Sequence, residues 1–134
     1  MSTETGSCAC GNIKITITGE PEKNVLCHCV DCHKTSGSHF SQNGLVLDKN
    51  FSLDAGTPKE FTKTSDSGRA ITSHFCPDCG TTLWRSGDFF PGGKIVKTGI
   101  MDDPKYHEKR QPVAELFPEG KVAWLPNLLQ TPSA

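Results

Sequence analysis

Short segments in which hydrophobic and polar residues alternate dominate the chain. The clearest is Ile13-Lys14-Ile15-Thr16-Ile17, and its period of two predicts a β-strand over residues 12–18, which Gly19-Glu20-Pro21 ends. Long stretches with the 3.6-residue period of an amphipathic helix are lacking, while glycine and proline recur throughout the sequence. The pattern therefore favours a fold built from short strands and turns.

Further strands are predicted where short runs with strand character lie between Gly, Asn, Asp or Pro residues. These runs are Gly44–Leu47, Phe51–Leu53, Glu60–Thr64, Ala70–Phe75, Thr81–Arg85, Lys94–Thr98 and Val122–Leu125. Helical turns are predicted only at Val30–Thr35 and around Asp103–Lys109, and residues 1–6 and 129–134 are expected to fray. Short strands separated by turn residues are typical of a β-sandwich or an open, barrel-like sheet. We therefore expect one mainly β domain over residues 1–134.

Composition and charge narrow the choice of partners. The 134 residues are 34% hydrophobic and include 13 Gly and 9 Pro, so they can form a single modest core. The net charge of −1 comes from 14 basic and 15 acidic residues spread without runs, which argues against nucleic acid or an anionic membrane as a partner. Because the sequence shows neither a secretory signal nor an apolar run long enough to cross a bilayer, we expect a cytoplasmic protein. Its oligomeric state stays open.

Seven cysteines occur in three clusters, and their number is odd. The clusters are Cys8-Ala9-Cys10, Cys27-His28-Cys29-Val30-Asp31-Cys32 and Cys76-Pro77-Asp78-Cys79. In a reducing compartment such clusters indicate metal ligands or a redox pair rather than structural disulfides, and three clusters are more than a dithiol switch requires. Seven thiolates divide into four and three, which predicts a closed structural zinc site and a second zinc site with one open position.

The two outer clusters both end in glycine, and each precedes a predicted strand. In a zinc knuckle two nearby thiolates bind one ion, and the glycine that follows permits the positive φ that such a turn often needs. Neither the pair Cys8 and Cys10 nor the pair Cys76 and Cys79 can complete a tetrahedral shell alone, so one ion shared by both pairs is the economical arrangement. A zinc ribbon of this kind could also be purely architectural or an interaction module.

The central cluster places Cys27, Cys29 and Cys32 within six residues, so one tight loop can bind an ion through three sulfurs. His28 or His33 could add a fourth ligand and close the site, but each directly follows a cysteine, where the side chain usually points away from the metal. With one position open, a site that carries three anionic sulfurs is a weak Lewis acid and favours a soft thiolate as the incoming ligand. The ligand set therefore predicts a small-molecule thiol as substrate.

The three cysteine motifs, Gly6–Gly11, Cys27–Lys34 and His74–Gly80, resemble in order and spacing those of the glutathione-dependent formaldehyde-activating enzyme family, which includes the centromere protein V type of domain. Residues 97–104 resemble the family's later Gly-x-x-Asp-Asp-Pro segment, and Trp124 resembles its C-terminal tryptophan. The resemblance covers about residues 6–125. The chain departs from it at Glu115, a position where His is often expected.

The resemblance implies a β-tent fold with two zinc ions, one structural and one catalytic. The ligands that it implies are Cys8, Cys10, Cys76 and Cys79 for the structural ion, and Cys27, Cys29 and Cys32 for the catalytic ion. The implied reaction is the reversible addition of glutathione to formaldehyde, which would make the protein a carbon–sulfur lyase resembling S-(hydroxymethyl)glutathione synthase. Two alternatives stay open: a zinc enzyme of the same fold acting on another small molecule in a specialised pathway, and a non-catalytic zinc scaffold that binds a protein partner.

Other side chains are candidates for contacts with a glutathione-like ligand, because a peptide thiol of that kind carries two carboxylates. The basic residues that could bind these carboxylates, or else be solvated surface charges, are Arg69, Arg85 and Lys34. The histidines that could lie beside the metal ligands, or else be ordinary half-buried residues, are His39 and His74. The aromatic residues expected in the core or in a pocket wall are Trp84, Phe89 and Phe90.

Overall fold

The computed structural model describes residues 1–64 and 68–129, and residues 130–134 of the segment expected to fray lie outside that part. The strands within it are β1 Thr3–Ser7, β2 Lys14–Thr18, β3 Lys23–Cys27, β4 Ser41–Leu47, β5 Phe51–Ala55, β6 Lys59–Thr64, β7 Ala70–Phe75, β8 Thr82–Gly87, β9 Gly93–Lys97 and β10 Ala114–Leu116. The helices within it are the α-helix α1 Val30–Ser36 and the 3-10 helices Asp48–Asn50, Thr98–Ile100, Tyr106–Lys109 and Pro118–Gly120. No helix in these two ranges is both long and apolar enough to span a bilayer.

The strands form two sheets. In the smaller sheet β2 pairs antiparallel with both β1 and β5, which gives the order β1-β2-β5. In the larger sheet the order is β10-β3-β4-β9-β8-β7-β6, and its pairs are antiparallel except for the parallel pair of β10 and β3. The prediction of a mainly β protein with short strands is therefore confirmed.

The core lies between the smaller sheet and one face of the larger sheet. Alternation along β2 turns Ile15 and Ile17 inward, and neither side chain has exposed surface. They belong to one buried cluster with Val46 of β4, Trp84 of β8 and Val96 of β9. The residues that follow Trp84 and Val96, and those on either side of Val46, point to the opposite face of the larger sheet, because side chains alternate along a strand. That second face is free of the core and forms the site described below.

Most predicted elements are confirmed with small shifts at their ends. The strands predicted between residues 12 and 98 correspond to β2 and to β4 through β9, and the predicted helical turns correspond to α1 and the 3-10 helix Tyr106–Lys109. The strand predicted at Val122–Leu125 is wrong, because the Leu125 N–H donates to the Val122 carbonyl in a turn and Trp124 is 71% exposed. A short apolar run at the surface has the same periodicity as a buried strand.

The expectation that residues 1–6 fray is also wrong, because β1 pairs residue by residue with β2. Its sequence is polar, and distant groups fix it instead: the hydroxyls of Thr5 and Ser7 donate to the carboxylate of Asp102. The Asp102 N–H in turn donates to the Thr5 carbonyl. The strands β3 and β10 were not predicted either, and β10 is too short, at three residues, to show a period.

Replacing Ile15 by Ala should lower the free energy of unfolding by about 2–5 kcal/mol, because the substitution leaves a cavity between the two sheets. Lys14→Ala is a matched control at the neighbouring exposed position of β2 and should change stability by less than about 0.5 kcal/mol. Urea denaturation at a fixed free zinc concentration measures both values. Equal effects of the two substitutions would contradict the position of the core.

Candidate functional site

The four outer cysteines converge on one point between the two sheets. Cys8 and Cys10 lie in the turn between β1 and β2, and Cys76 and Cys79 lie in the turn between β7 and β8. The Sγ atom of Cys10 is 3.6 Å from that of Cys8 and 3.7 Å from that of Cys76, although 66 positions separate Cys10 from Cys76. All four sulfurs lie within 4.8 Å of one another. The structure therefore brings together the two pairs that the sequence suggested would share an ion.

The local backbone of both turns is arranged around the sulfurs. In the first turn the Ile13 N–H donates to Sγ of Cys8 at 3.2 Å. Gly11 and Gly80, which follow the two cysteine pairs, have φ of 82° and 80°, so the predicted positive φ is confirmed at both turns. Donation of N–H groups to sulfur favours the thiolate, which is the form of cysteine that binds metals.

The two turns also contact each other directly. The Ala9 N–H donates to Oγ1 of Thr81 at 3.0 Å, and the Asn12 side-chain amide donates to the Asp78 carboxylate at 3.0 Å. A hydrogen bond from the Thr81 hydroxyl, followed by one from the Thr81 N–H, lowers the pKa of Cys79 to about 5. Cys79 is therefore a thiolate at neutral pH, and the cluster attracts a cation.

The four sulfurs fit a tetrahedral zinc ion. Zn–S bonds of about 2.3 Å would place the sulfurs about 3.8 Å apart, and the separations of 3.6 and 3.7 Å agree with that value. Because four cysteines fill a tetrahedral shell, this group can hold a closed structural ion without a ligand from outside the protein.

The three central cysteines come from the end of one strand and the first turn of one helix. Cys27 is the last residue of β3, Cys29 is the N-cap of α1, and Cys32 lies in its first turn. The Sγ atom of Cys29 accepts a hydrogen bond from the Cys32 N–H at 3.3 Å, which caps the helix. The three sulfurs lie within 4.8 Å of one another, so the group can hold a metal through three thiolates.

The pKa values of two central cysteines, Cys27 and Cys32, are shifted in opposite directions. Hydrogen bonds from Cys27, and then from Cys29, lower the pKa of Cys32 to about 2, and the positive charge of Lys97 acts in the same direction. Hydrogen bonds with Cys29 and Cys32 raise the pKa of Cys27. The lowered pKa favours the thiolate form of Cys32, and thiolate is the form of cysteine that binds a soft cation.

The alternative in which His28 or His33 closes this site gains no support, because neither belongs to the cluster of potential ligands found among the described residues. His28 is fully buried, and its Nε2 lies 3.0 Å from Oε1 of Glu115, which is 3% exposed. The Nζ atom of Lys121 lies 3.5 Å from the same oxygen. This buried network of His28, Glu115 and Lys121 holds the backbone between Cys27 and Cys29 in place.

The central cysteines line a pocket of about 580 Å³, a volume within the range of small-molecule sites. Its floor is the face of the larger sheet opposite the core. Asn43 of β4, Arg85 of β8 and Lys97 of β9 lie on this floor. Arg85 and Lys97 directly follow the core residues Trp84 and Val96, and Asn43 is three positions from the core residue Val46. The pocket therefore has the metal-binding group at one edge and the sheet beneath it.

Positive charge surrounds the pocket. Lys63 of β6, Arg69, Arg85 and Lys97 line it, and Asp31 of α1 is the carboxylate among the described lining residues. Oδ1 of Asp31 lies 2.6 Å from Nζ of Lys63, and Oδ2 lies 3.8 Å from Arg85. Cations outnumber carboxylates, so the field in the pocket favours an anionic ligand.

Most of the remaining wall is apolar. The apolar side chains that line it are Val25, Val30, Leu45, Ala70, Ile71, Phe89, Ile95, Leu116 and Phe117. A ligand that combines a carbon skeleton with negatively charged ends therefore suits the pocket better than a purely polar one.

Of the basic and aromatic residues predicted outside the cysteine clusters, some line the pocket and others do not. Arg69 and Arg85 line the pocket, whereas Lys34 is an exposed residue of α1 outside the lining. Of the three aromatic residues, Phe89 lines the pocket, and Phe90 lies beneath Gly93.

The histidines predicted beside the metal ligands, His39 and His74, each contact other aromatic rings. His74 stacks on Trp84 with ring centroids 4.6 Å apart, and Trp84 belongs to the core. His39 contacts both His33 and Trp124 edge-on, with centroids 5.4 Å and 5.6 Å apart. These contacts give both histidines packing roles.

Lys63, Lys97 and Asn43 are pocket residues that were not predicted. The alternation within the predicted strand Lys94–Thr98 places Lys97 on the same face as Ile95. That signal does not show which face of the strand carries the pocket, because the answer depends on strands that are distant in sequence.

Comparison with known proteins identifies relatives over most of the chain. Residues 3–120 match the family described as "Glutathione-dependent formaldehyde-activating enzyme". A protein of Aspergillus flavus is 34% identical over 106 residues, which cover 75% of this chain and 54% of the relative, and one of Fusarium vanettenii is 30% identical over 104 residues, which cover 75% and 55%. Both carry the name "Putative glutathione-dependent formaldehyde-activating enzyme". The chain spans about half the length of these curated relatives.

A solved structure shares the fold. The crystal structure of a Rhodobacter sphaeroides protein superimposes with a TM-score of 0.63 over 78% of this chain and 94% of that chain, at 15% sequence identity. At 15% identity this similarity concerns the fold alone.

Glu115→Ala should lower the free energy of unfolding by about 1–3 kcal/mol, because it leaves His28 and Lys121 without the carboxylate that they share. Glu119→Ala removes an exposed carboxylate from the same segment and is the control, with an expected change below about 0.5 kcal/mol. Thermal and urea denaturation of the zinc-loaded protein measure both. A loss no larger for Glu115→Ala than for Glu119→Ala would contradict the role of the network.

Proposed function

The chain belongs to the glutathione-dependent formaldehyde-activating enzyme family, and from that membership we propose that it is a zinc-dependent carbon–sulfur lyase acting on the adduct of a thiol and a small aldehyde. The thiol that we propose is glutathione, and the aldehyde is formaldehyde. The observation that carries the proposal is the position of Cys27, Cys29 and Cys32 at the edge of a deep, positively charged pocket. A non-catalytic scaffold for a protein partner would instead be expected to present a flat apolar patch.

We propose two zinc ions per chain. Cys8, Cys10, Cys76 and Cys79 would hold the structural ion, whose shell they complete. Cys27, Cys29 and Cys32 would hold the second ion from one side and leave a position toward the pocket. Zinc bound there would lower the pKa of a coordinated thiol and so supply a nucleophilic sulfur at neutral pH.

The residues of the pocket would hold both reactants in place for the addition. The substrate thiol gives its proton to water, and its sulfur forms a bond to the aldehyde carbon. The π electrons of the carbonyl group move to its oxygen, and that oxygen takes a proton from water, so the overall number of protons is unchanged. The lyase direction reverses these changes and returns the thiol and the aldehyde. Holding two reactants in contact removes much of the entropic barrier to such an addition.

The cations of the pocket suit the two carboxylates of glutathione. Arg69, Arg85 and Lys63 line the part of the pocket formed by β6, β7, β8 and the adjoining loop. Asp31, which contacts Lys63 and Arg85, can accept a hydrogen bond from the ammonium group of the same ligand. A peptide thiol bound in this way has its sulfur free to reach the cysteine edge.

The apolar wall supports a second candidate within the same chemistry, an adduct of a larger aldehyde in a specialised pathway. Ile95 and Leu45 lie side by side on β9 and β4 in the pocket floor and can contact a hydrocarbon chain. Measuring adduct formation with aldehydes of increasing chain length separates the two candidates, because only the second requires activity to rise with chain length.

We also propose a reducing compartment, the cytoplasm, as the location of the protein. The seven cysteines carry free thiols in the structure, as metal ligands must, and a reducing compartment preserves them in that form.

Cys29→Ser should bind one zinc ion per chain instead of two and lose catalysis while the fold is retained. Serine is a favoured helix N-cap, so the substitution removes the thiolate but keeps the cap of α1. Metal analysis, circular dichroism and exchange NMR of glutathione with formaldehyde give the three readouts.

Cys76→Ser is the matched comparison in the other cluster. Because Cys76 is fully buried between the sheets, its loss should destabilise the whole protein and not only remove one ion. Global unfolding of Cys29→Ser would instead indicate that the second site is structural, and retention of two ions would contradict its ligand set.

Arg69→Ala should weaken the binding of glutathione about tenfold, because one charged contact to a carboxylate is lost. The binding of 2-mercaptoethanol, a thiol without carboxylates, should be unchanged. Lys34→Ala, which removes an exposed cation outside the pocket, serves as the control protein. Isothermal calorimetry on the zinc-loaded protein measures the affinities, and equal losses for both thiols would contradict this use of Arg69.

A further inference from the structure

A lysine is built into the pocket floor next to the cysteine edge. Lys97 is the last residue of β9 and pairs across the sheet with Asn43, which pairs in turn with Val25, two residues before Cys27. These residues lie on one face of the larger sheet because they occupy matching positions on neighbouring strands. Lys97 and the central sulfurs therefore line the same end of the pocket.

Two buried side chains fix the position of the ammonium group. The Asn43 amide nitrogen donates to the carbonyl and the hydroxyl oxygen of Ser41, at 3.2 Å and 3.0 Å. These bonds orient the amide so that its oxygen faces Lys97, and Nζ donates to that oxygen at 2.7 Å. Ser41 and Asn43 are 3% and 2% exposed, so this arrangement is held within the fold.

The same residues lie beside the cysteines. Ser41 pairs with Cys27 across β4 and β3, and Nζ of Lys97 lies 3.5 Å from the Ser41 hydroxyl oxygen. An ammonium group has three donors, and the partners found for it among the described residues are Asn43 and Ser41. One N–H of Lys97 is thus available to a molecule in the pocket.

We propose that Lys97 is a catalytic residue that donates a hydrogen bond to the carbonyl oxygen of the aldehyde and stabilises the negative charge that develops there. As the sulfur–carbon bond forms, the electron pair of the carbonyl π bond moves onto oxygen beside the fixed positive charge, and the oxygen then takes a proton from water. In this role Lys97 donates a hydrogen bond and transfers no proton. In the reverse direction the same contact stabilises the oxyanion before the carbon–sulfur bond breaks.

A donor that is fixed before the reaction and lies in a partly buried pocket stabilises such an oxyanion more than water does, because it needs no reorientation. Loss of one such donor typically lowers the catalytic rate about 100-fold or more. Lys97→Met removes both the charge and the donor, whereas Lys97→Arg keeps both. The neighbouring Lys94 points to the other side of β9, where it pairs with Asp48, so Lys94→Met is the matched control.

The role of Lys97 rests on the proposed function, and one experiment distinguishes failure of that role from failure of the proposed function. Exchange NMR measures the rates of adduct formation and breakdown for zinc-loaded protein with saturating glutathione and formaldehyde, and calorimetry measures the glutathione affinity. For Lys97→Met we expect both rates to fall about 100-fold with the equilibrium constant unchanged, while Lys97→Arg stays within about tenfold of the original and Lys94→Met is unaffected.

Several results would overturn the inference. A saturating rate equal to that of the original protein in Lys97→Met, with only a weaker glutathione affinity, would make Lys97 a thiol-binding residue. An equal loss in Lys94→Met would assign the effect to the strand. Mass spectrometry after borohydride reduction that shows the aldehyde carbon attached to Lys97 would make it a nucleophile.

A replacement variant and the behaviour of the original protein complete the experiment. If Lys97→Met does not bind two zinc ions or loses its β signal in circular dichroism, Lys97→Gln, which removes the charge but keeps an N–H donor, replaces it, and a rate equal to that of the original protein would then contradict a role for the positive charge. If the original protein does not accelerate the exchange at all, the proposed function fails, and the role of Lys97 fails with it.

Discussion

The contact between the two cysteine-bearing turns is the constraint on which the rest of the structure depends. It joins the smaller sheet, at Cys8 and Cys10, to the larger sheet, at Cys76 and Cys79. Closing a loop of the 66 positions between Cys10 and Cys76 costs about 4 kcal/mol of chain entropy. The hydrogen bonds between the turns can offset only part of that cost, whereas the zinc ion proposed for these four sulfurs would contribute roughly 10–16 kcal/mol. With that ion bound, the sulfurs would contribute more to the closed arrangement than the hydrogen bonds do.

Because the smaller sheet covers one face of the larger sheet, the opposite face carries the pocket. The central strands β4, β8 and β9 each contribute one set of residues to the core and the alternate set to the pocket. Lys97 follows Val96 directly, and Arg85 follows Trp84. A charged side chain next to a core residue would be solvated in an ordinary antiparallel sheet with one wet face. Here α1 and the segment around Leu116 border that face, and the charges are collected in a pocket.

Sequence patterns predicted the parts of the molecule that depend on local chemistry. The period of two revealed β2, and the spacing of the cysteines with their glycines revealed both turns. The missed parts depend on distant contacts. The polar strand β1 forms because β2 and Asp102 accept its hydrogen bonds, and the role of Lys97 follows from its pairing with Asn43. The pairing of β1 and the pairing of Lys97 with Asn43 both join residues that are distant in sequence, so a local pattern does not predict them.

The two cysteine groups have the same donor chemistry, and the surrounding fold gives them different capacities. In the outer group the second turn supplies the two sulfurs that the first turn lacks, so the shell is complete. In the central group a strand end and a helix start supply three sulfurs, and what faces them is Ser41, Asn43 and Lys97 instead of a fourth cysteine. None of these three is a soft ligand that would compete for zinc. They are polar groups that stabilise negative charge, so they favour a further anionic ligand beside the three sulfurs. The fold thus leaves beside the central sulfurs the position that the proposed function assigns to a substrate thiol.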